Sequence, residues 1–277
     1  MKEKILIIDG HNLLFKMFYG IPASIKNSEG KEIKGLVGFL GSIKKFIKEF
    51  NPRTVIVVFD SESSASSNKL LDSEYKSNRL DYSNISEDEN PFLILPAIKK
   101  ALNYLEIPNI EVTNSEADDY IASLTNNNLY EYIIVSTDTD FIQLINDNTY
   151  LYIPRGKKSI LYNKDKVYEK YNIYPNQYIL YKSLIGDKSD NIKGIKGIGR
   201  VTAVKILKYQ NIESYIKQNS SNKISKLLIV NKYRLLINIK LITLNKYLDT
   251  RNIKINVYNP ELINKKVYEI ISEIGEF

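Results

Sequence analysis

The chain of 277 residues contains no cysteine and a single histidine, His11. Disulfides, thiolate zinc sites, cysteine nucleophiles and histidine-rich metal centres are thereby excluded. A Ser-His-Asp hydrolase would have to rest everything on His11. No apolar stretch approaches the roughly 18 residues of a membrane span, so a soluble protein with no membrane partner is expected. The chain enters a strand-like run at once, "KILIID", which leaves no room for a secretory signal. A cytoplasmic, nucleoid-associated location is expected for a bacterial protein, and an organellar one if a presequence has been removed. Lysine and arginine are themselves missing from Ala101 to Pro154, a stretch with nine acids. Any metal must then be held by carboxylates and carbonyls, which favours Mg²⁺ or Mn²⁺.

What is present is ordinary in bulk: 43% hydrophobic and 26% charged residues. The length suffices for one large domain or two small ones. The net charge of +7 is unevenly spread: Lys188 to Lys254 carries fifteen basic residues against Asp190, Glu213 and Asp249. An acidic half joined to a basic half points to a metal centre beside a polyanion-binding surface. A basic tail that only aids solubility is the simpler alternative. The 21 tyrosines accompany much Asn, Lys and Ile, a pattern of AT-rich coding, and individually carry little weight.

Three apolar runs read as buried parallel strands, "KILIID" (4–9), "TVIVVFD" (54–60) and "YIIVSTD" (132–138). Helical spacing fills the intervals, in "GLVGFLGSIKKFIKEF", stopped by Asn51-Pro52, and in "NPFLILPAIKKALNYLEI". This alternation predicts an α/β fold with a central, mostly parallel sheet and flanking helices. Residues 61–90 are rich in Ser and Asn and read as a loop or marginal helix. Beyond residue 165 the pattern is helical, interrupted by "GDKSDNIKGIKGIGRVTAVKIL".

Each strand run ends in aspartate: Asp9, Asp60 and Asp138, with Asp140 close behind. The carboxyl ends of parallel strands line one edge, so these acids would meet there. "SEADDY" reads as a helix start with Ser115 as N-cap, placing Glu116, Asp118 and Asp119 near that edge. Asp187 and Asp190, spaced i, i+3, would face one way on a helix. A like-charged pair at ~4 Å costs about 4 kcal/mol at an effective dielectric of about 20. Nine such acids without basic partners therefore call for cations. Two divalent ions roughly 3.5–4 Å apart would serve, as in phosphodiester chemistry. Singly, each acid reads better as a helix cap or a solvated strand end; the set does not.

In the basic half, Gly194, Gly197 and Gly199 precede a helix start and expose N–H groups that can grip phosphate. An ordinary helix–turn–helix corner fits the glycines alone; Lys193, Lys196, Arg200, Lys205 and Lys208 around them favour a DNA backbone. In "EYKSNR", Lys76 and Arg79 at i, i+3 can clamp a phosphate and Tyr75 can stack on a base. A solvated charged loop is the alternative.

Together the ordered segments "ILIIDGHNLLFKMFYG", "VVFD", "EYKSNR", "EADDYIASL", "VSTDTDFIQL" and "GDKSDNIKGIKGIGRVTAVKIL" resemble the 5′-nuclease family, the bacterial flap endonucleases and the 5′→3′ exonuclease domain of DNA polymerase I. The resemblance spans nearly the whole chain. It implies a PIN-like core with a helical arch (61–90) within residues 1–165. A helix–hairpin–helix-type module over residues 166–277 would bind duplex DNA and pack with the core as one unit. It places metal-ligand roles on Asp9, Asp60, Glu116, Asp118, Asp119, Asp138, Asp140, Asp187 and Asp190, and catalytic arch roles on Lys76 and Arg79. DNA contacts fall on Tyr75, Lys193, Lys196, Gly197, Gly199, Arg200 and Lys205. It also implies a potassium ion held by carbonyls of the 194–199 turn. Departures occur at Asn68, where the family carries arginine, and at Val201, where it carries lysine one place after Arg200 here.

A divalent-metal-dependent, structure-specific 5′ nuclease is therefore expected, a monomer acting on branched or 5′-ended duplex DNA and on RNA/DNA hybrids in replication and repair. It would remove primers and flaps, leaving 5′-phosphate and 3′-hydroxyl ends. No polymerase domain follows, which fits a stand-alone nuclease or an excised portion. A DNA-junction binding protein without catalysis and a ribonuclease on a related scaffold are the rival expectations.

Overall fold

A computed structural model describes residues 2–61, 72–77, 85–86, 89–113, 115–251, 253 and 257–275. Most of the expected arch, including Arg79 and Asn68, lies outside the described residues.

Six strands form the main sheet in the order β3-β2-β1-β4-β5-β6. They are β1 (Lys4–Asp9), β2 (Thr54–Asp60), β3 (Asn109–Val112), β4 (Glu131–Val135), β5 (Thr149–Ile153) and β6 (Ile160–Tyr162). The first five pair in parallel and β6 runs antiparallel to β5. In β1, Ile5 and Ile7 enter the core on one face while Leu6 and Ile8 enter the core on the other, the period-two alternation of a strand covered on both sides. One face packs against α1 (Gly10–Gly20), α2 (Lys34–Phe50) and α3 (Leu95–Tyr104). Helix α2 stops at Asn51, whose φ of 45° provides a left-handed cap. A Cβ on Gly10 would lie 2.4 Å from the Phe59 ring, so only glycine lets α1 start directly against β2.

The opposite face carries α4 (Ala117–Leu124) and the later helices, among them α5 (Lys164–Tyr171), α6 (Tyr178–Ile185), α7 (Arg200–Leu207), α8 (Ile212–Gln218), α9 (Lys223–Val230) and α10 (Lys232–Ile242). A single apolar cluster runs from strand residues Ile5, Ile56 and Ile134 to Leu184, Ile206 and Leu235. The last helices, α11 (Pro260–Asn264) and α12 (Val267–Ile274), return to the α1–α3 face, where Ile263, Ile270 and Ile274 are buried.

The structure corrects several details. Strand β4 ends at Val135, so Asp138 stands three residues beyond it in a turn. Segment 186–193 is a hairpin, β7 (Gly186–Asp187) paired antiparallel with β8 (Ile192–Lys193), where a helix was expected. Glu116, not Ser115, is the N-cap of α4. The short strands β3, β5 and β6 escape periodicity because each is only three to five residues long.

Candidate metal centre and nucleic-acid surface

Strand pairing brings the first acids together. Asp9 ends β1 and Asp60 ends β2, and Asp9 lies opposite Val58 in the ladder. The Asp9 Oδ1 accepts from the Asn12 N–H (3.1 Å), capping α1, and its Oδ2 accepts from the Ser136 hydroxyl (2.8 Å) beyond β4. The Asp60 Oδ1 accepts from the Ala117 N–H (2.7 Å), tying β2 to the start of α4. Glu116, Asp118 and Asp119 are thereby held at the same edge. Asp119 accepts from the Asn245 N–H (2.7 Å).

Behind β4, the Asp138 N–H donates to Ser136 Oγ (3.0 Å) and its Oδ1 accepts from the Asp140 N–H (2.7 Å). This tight turn buries Asp140 toward the 186–193 hairpin. Carboxylate oxygens of Asp140, Asp187 and Asp190 lie within 4.8 Å of one another. Asp187 and Asp190 come from the hairpin turn, and Asp187 accepts from the Ser189 N–H at 2.8 Å and hydroxyl at 2.5 Å.

Crowding and burial act on these groups unequally. Burial pushes the Asp9 carboxyl up to about 7, opposed by its hydrogen bonds from Ser136 and Asn12 and assisted by Asp60 and Asp138. Burial, with Asp138 beside it, lifts Asp140 to about 7 against the pull of Lys182. Asp118 is raised well above its ordinary value by burial and by Asp138 and Asp9. Burial also raises Asp119. At Asp60 burial is outweighed by His11, the Ala117 N–H and Lys76, and at Asp187 by Lys182, so both lie below the usual range. Asp138 acts on Asp9, Asp118 and Asp140 alike and so links the strand-end group to the hairpin group.

The expectation of acids without basic partners needs correction. Lys182 of α6, its side chain 7% exposed, is ion-paired with both Asp140 and Asp187. Lys76 is ion-paired with Glu116. Raised carboxyls still remain at Asp9, Asp118 and Asp140, so the set retains a deficit of positive charge. All its donors are carboxylate oxygens, which fits a hard divalent cation. Among the described residues, Asp140, Asp187 and Asp190 form the compact group of carboxylate donors.

His11 has a structural place. Its Nδ1 accepts from the Asp60 N–H (3.1 Å), leaving Nε2 buried among Phe59 and Phe92, whose ring centroids are 5.5 Å away.

Tyr75 is not available for base stacking. It is 4% exposed and packs with Ile192, Leu241 and Ile242, where burial raises its hydroxyl pKa. Lys76 is also buried and its Nζ lies 4.9 Å from the Tyr75 ring centroid. Segment 72–77 is fastened to the helical half by Arg234 with Asp72 (2.5 Å) and Lys193 with Glu74 (2.6 Å). Lys193 is paired there while remaining exposed, and Lys196, Arg200 and Lys205 stand exposed as well.

The glycine turn has a defined geometry. A Cβ on Gly194 would lie 2.3 Å from the Ile185 carbonyl carbon, so α6 and the hairpin exit can touch only through glycine. Gly197 has φ +94°, and Gly199 is the N-cap of α7 with nothing near its Cβ direction. The first N–H groups of α7 thus emerge beside exposed Lys196 and Arg200.

Sequence reasoning missed Lys182 and Ser136. Lys182 had a signal, as a lone cation in the apolar run "YILYKSLI" just before Gly186-Asp187. Ser136 had none, because only the fold brings it to Asp9.

No helix among the described residues is long and apolar enough to cross a membrane. A family model for the 5′-3′ exonuclease N-terminal resolvase-like domain matches residues 4–172, and one for the 5′-3′ exonuclease C-terminal SAM fold matches residues 173–262. The chain is 33% identical over 220 residues to the thermostable DNA polymerase I of Thermus caldophilus, covering 78% of this chain but 25% of that protein. It thus spans about a quarter of the length of such polymerase relatives. It is 30% identical over 220 residues to the 5′-3′ exonuclease of Aquifex aeolicus, covering 78% of this chain and 73% of that one. A solved structure of T5 5′-exonuclease with bound zinc superposes with a TM-score of 0.71 at 25% identity, covering 99% of this chain and all of the other. The two family models together match residues 4–262, and the chain belongs to the 5′-3′ exonuclease family of nucleases.

Proposed function

We propose that this chain hydrolyses phosphodiesters at junctions between duplex DNA and a 5′ single strand, using two or more Mg²⁺ or Mn²⁺ ions. The observation that carries the proposal is the gathering of acids from β1, β2, α4, the turn after β4 and the 186–193 hairpin along one edge. Asp9, Asp60, Glu116, Asp118, Asp119 and Asp138 would hold one cation group, and Asp140, Asp187 and Asp190 another. When bound, divalent ions supply an activated water and charge stabilisation for the departing 3′ oxygen.

The chain's own residues do the rest. Lys76 lies beside Glu116 and neutralises the scissile phosphate, with Arg79 assigned the same task by its place in the motif. Lys196, Arg200 and Lys205, with the N–H groups after Gly199, bind the duplex backbone. The carbonyls of the 194–199 turn hold a potassium ion. Residues 1–165 form the catalytic part and 166–277 the DNA-binding part of a monomer, active on DNA and on RNA/DNA hybrids, with primer and flap removal as its task.

The test is incubation with a 5′-labelled flap duplex and the matching single strand, with Mg²⁺ or EDTA. Release of the flap at the junction only with Mg²⁺, with the single strand largely spared, is expected. Tight junction binding without a cut would replace the proposal with a non-catalytic binding protein.

A further inference from the structure

Lys76 is held in an uncommon backbone state. Its φ is +52°, a left-handed conformation that side chains other than glycine seldom adopt. Its N–H donates to the carbonyl of Asp190 (3.0 Å). Asn191, with φ +55°, faces it from the hairpin. The Asn191 side-chain amide donates to the Glu74 carbonyl (2.9 Å) and to the Ser77 hydroxyl (3.0 Å), and so brackets Lys76 from both sides. Two left-handed residues from distant parts of the chain thus meet along one hydrogen-bonded seam.

The amide is the group this seam requires. An aspartate would turn oxygen toward the Glu74 carbonyl, and a glycine would keep the backbone but lose both donors. Asn191 follows Asp190 directly, so the turn that presents Asp187 and Asp190 also sets the position of Lys76.

We propose that Asn191 is a positioning residue that fixes the Lys76 amine relative to the Asp187–Asp190 turn, so that the acid group and the phosphate-neutralising cation are placed by one hairpin. This rests on the reading of Lys76 given under the proposed function. Because the tie precedes substrate, Asn191 governs the rate of the cut and leaves the hold on the duplex to the exposed cations of α7.

The experiment compares Asn191→Gly, Lys76→Ala and the double variant in single-turnover cleavage of a 5′ flap. Flap affinity is measured by fluorescence anisotropy in Ca²⁺, and hydrogen exchange is followed across residues 72–77. Asn191→Gly should slow cleavage about tenfold, the scale of a displaced catalytic group, with affinity within about threefold. The double variant should be no slower than Lys76→Ala, and the Lys76 and Ser77 amides should exchange faster in Asn191→Gly. An equal slowing by Asn191→Gly in the Lys76→Ala background would overturn the proposal. If Lys76→Ala cleaves at the unmodified rate, the reading of Lys76 fails. The exchange data then decide on Asn191: unchanged exchange refutes the tie and faster exchange upholds it. If Asn191→Gly does not fold, Ser77→Ala removes one acceptor of the bracket and must give the same pattern at smaller amplitude, and a Ser77→Ala protein with unchanged rate and exchange overturns it.

Discussion

Lys182 is ion-paired with Asp140, forty-two residues earlier in the chain, and with its side chain 7% exposed it reaches Asp187 as well. One buried ammonium thus joins the turn after β4 to the hairpin of the helical half. Burial acts against this charge, yet Asp140, Tyr178 and Asp187 hold its pKa above the ordinary lysine value. Removing one partner of such a pair leaves uncompensated buried charge. Lys182→Met should destabilise the metal-free protein by about 3 kcal/mol at pH 8, measured by urea unfolding in EDTA. Added Mn²⁺ should restore more stability to the variant than to the unmodified chain.

The raised carboxyls set a pH dependence. Asp9 and Asp140 titrate near 7 in the fold against an ordinary value of 3.8. Between those values the folded state binds more protons than the unfolded one, so stability falls as pH rises. The metal-free protein should melt at a higher temperature at pH 5.5 than at pH 8, with the decline levelling off above the folded values. Asp60 and Asp187, which are lowered, contribute in the opposite sense, and their share is lost only in acid. Thermal unfolding in EDTA from about pH 8 down to about pH 2 checks both signs.

Asp140→Asn keeps the shape of the side chain and removes a charged donor from the group with Asp187 and Asp190. Flap cleavage should drop more than about a hundredfold at ordinary Mg²⁺. Flap binding in Ca²⁺ should be kept or improved, because a negative charge facing the DNA is gone. Asp138→Asn should behave alike. Cleavage at the unmodified rate in either variant would refute the metal assignment.

Lys196→Ala and Arg200→Ala address the exposed surface at the start of α7. Each should weaken duplex binding to a similar degree for any sequence and lower the slope of log affinity against log salt by about 1. Anisotropy titrations between low and moderate KCl read both effects.

Gly194→Ala tests the contact between α6 and the hairpin exit. The new methyl would sit 2.3 Å from the Ile185 carbonyl carbon and must push backbone apart. A stability loss of about 2–3 kcal/mol is expected in urea unfolding, along with a loss of cleavage as Asp187 and Asp190 shift.

The three buried strands were legible because each is an unbroken apolar run rich in Ile and Val, and the acids at or beyond their ends follow from parallel pairing. Turn geometry was not legible. "GDKSDN" has the spacing of a helix face, yet Gly186 at φ +83° and Asn191 at φ +55° bend it into a hairpin. Tyr75 read as a stacking residue from its place beside Lys76 and Arg79 in "EYKSNR". Its burial depends on Ile192, Leu241 and Ile242, which the sequence places more than a hundred residues away. Lys182 stands out in the sequence as a lone cation in an apolar run, but its partners Asp140 and Asp187 are assembled only by the fold.

The strand order has a consequence for synthesis. Strand β1 is made first but lies between β2 and β4. A growing chain has Asp9 and Asp60 early, gains Asp138 and Asp140 only after β4, and receives Asp187 and Asp190 last. Every fragment that stops before residue 190 lacks part of the acid set. On the proposed chemistry, a chain arrested before residue 190 is therefore inert, whatever else of it has folded.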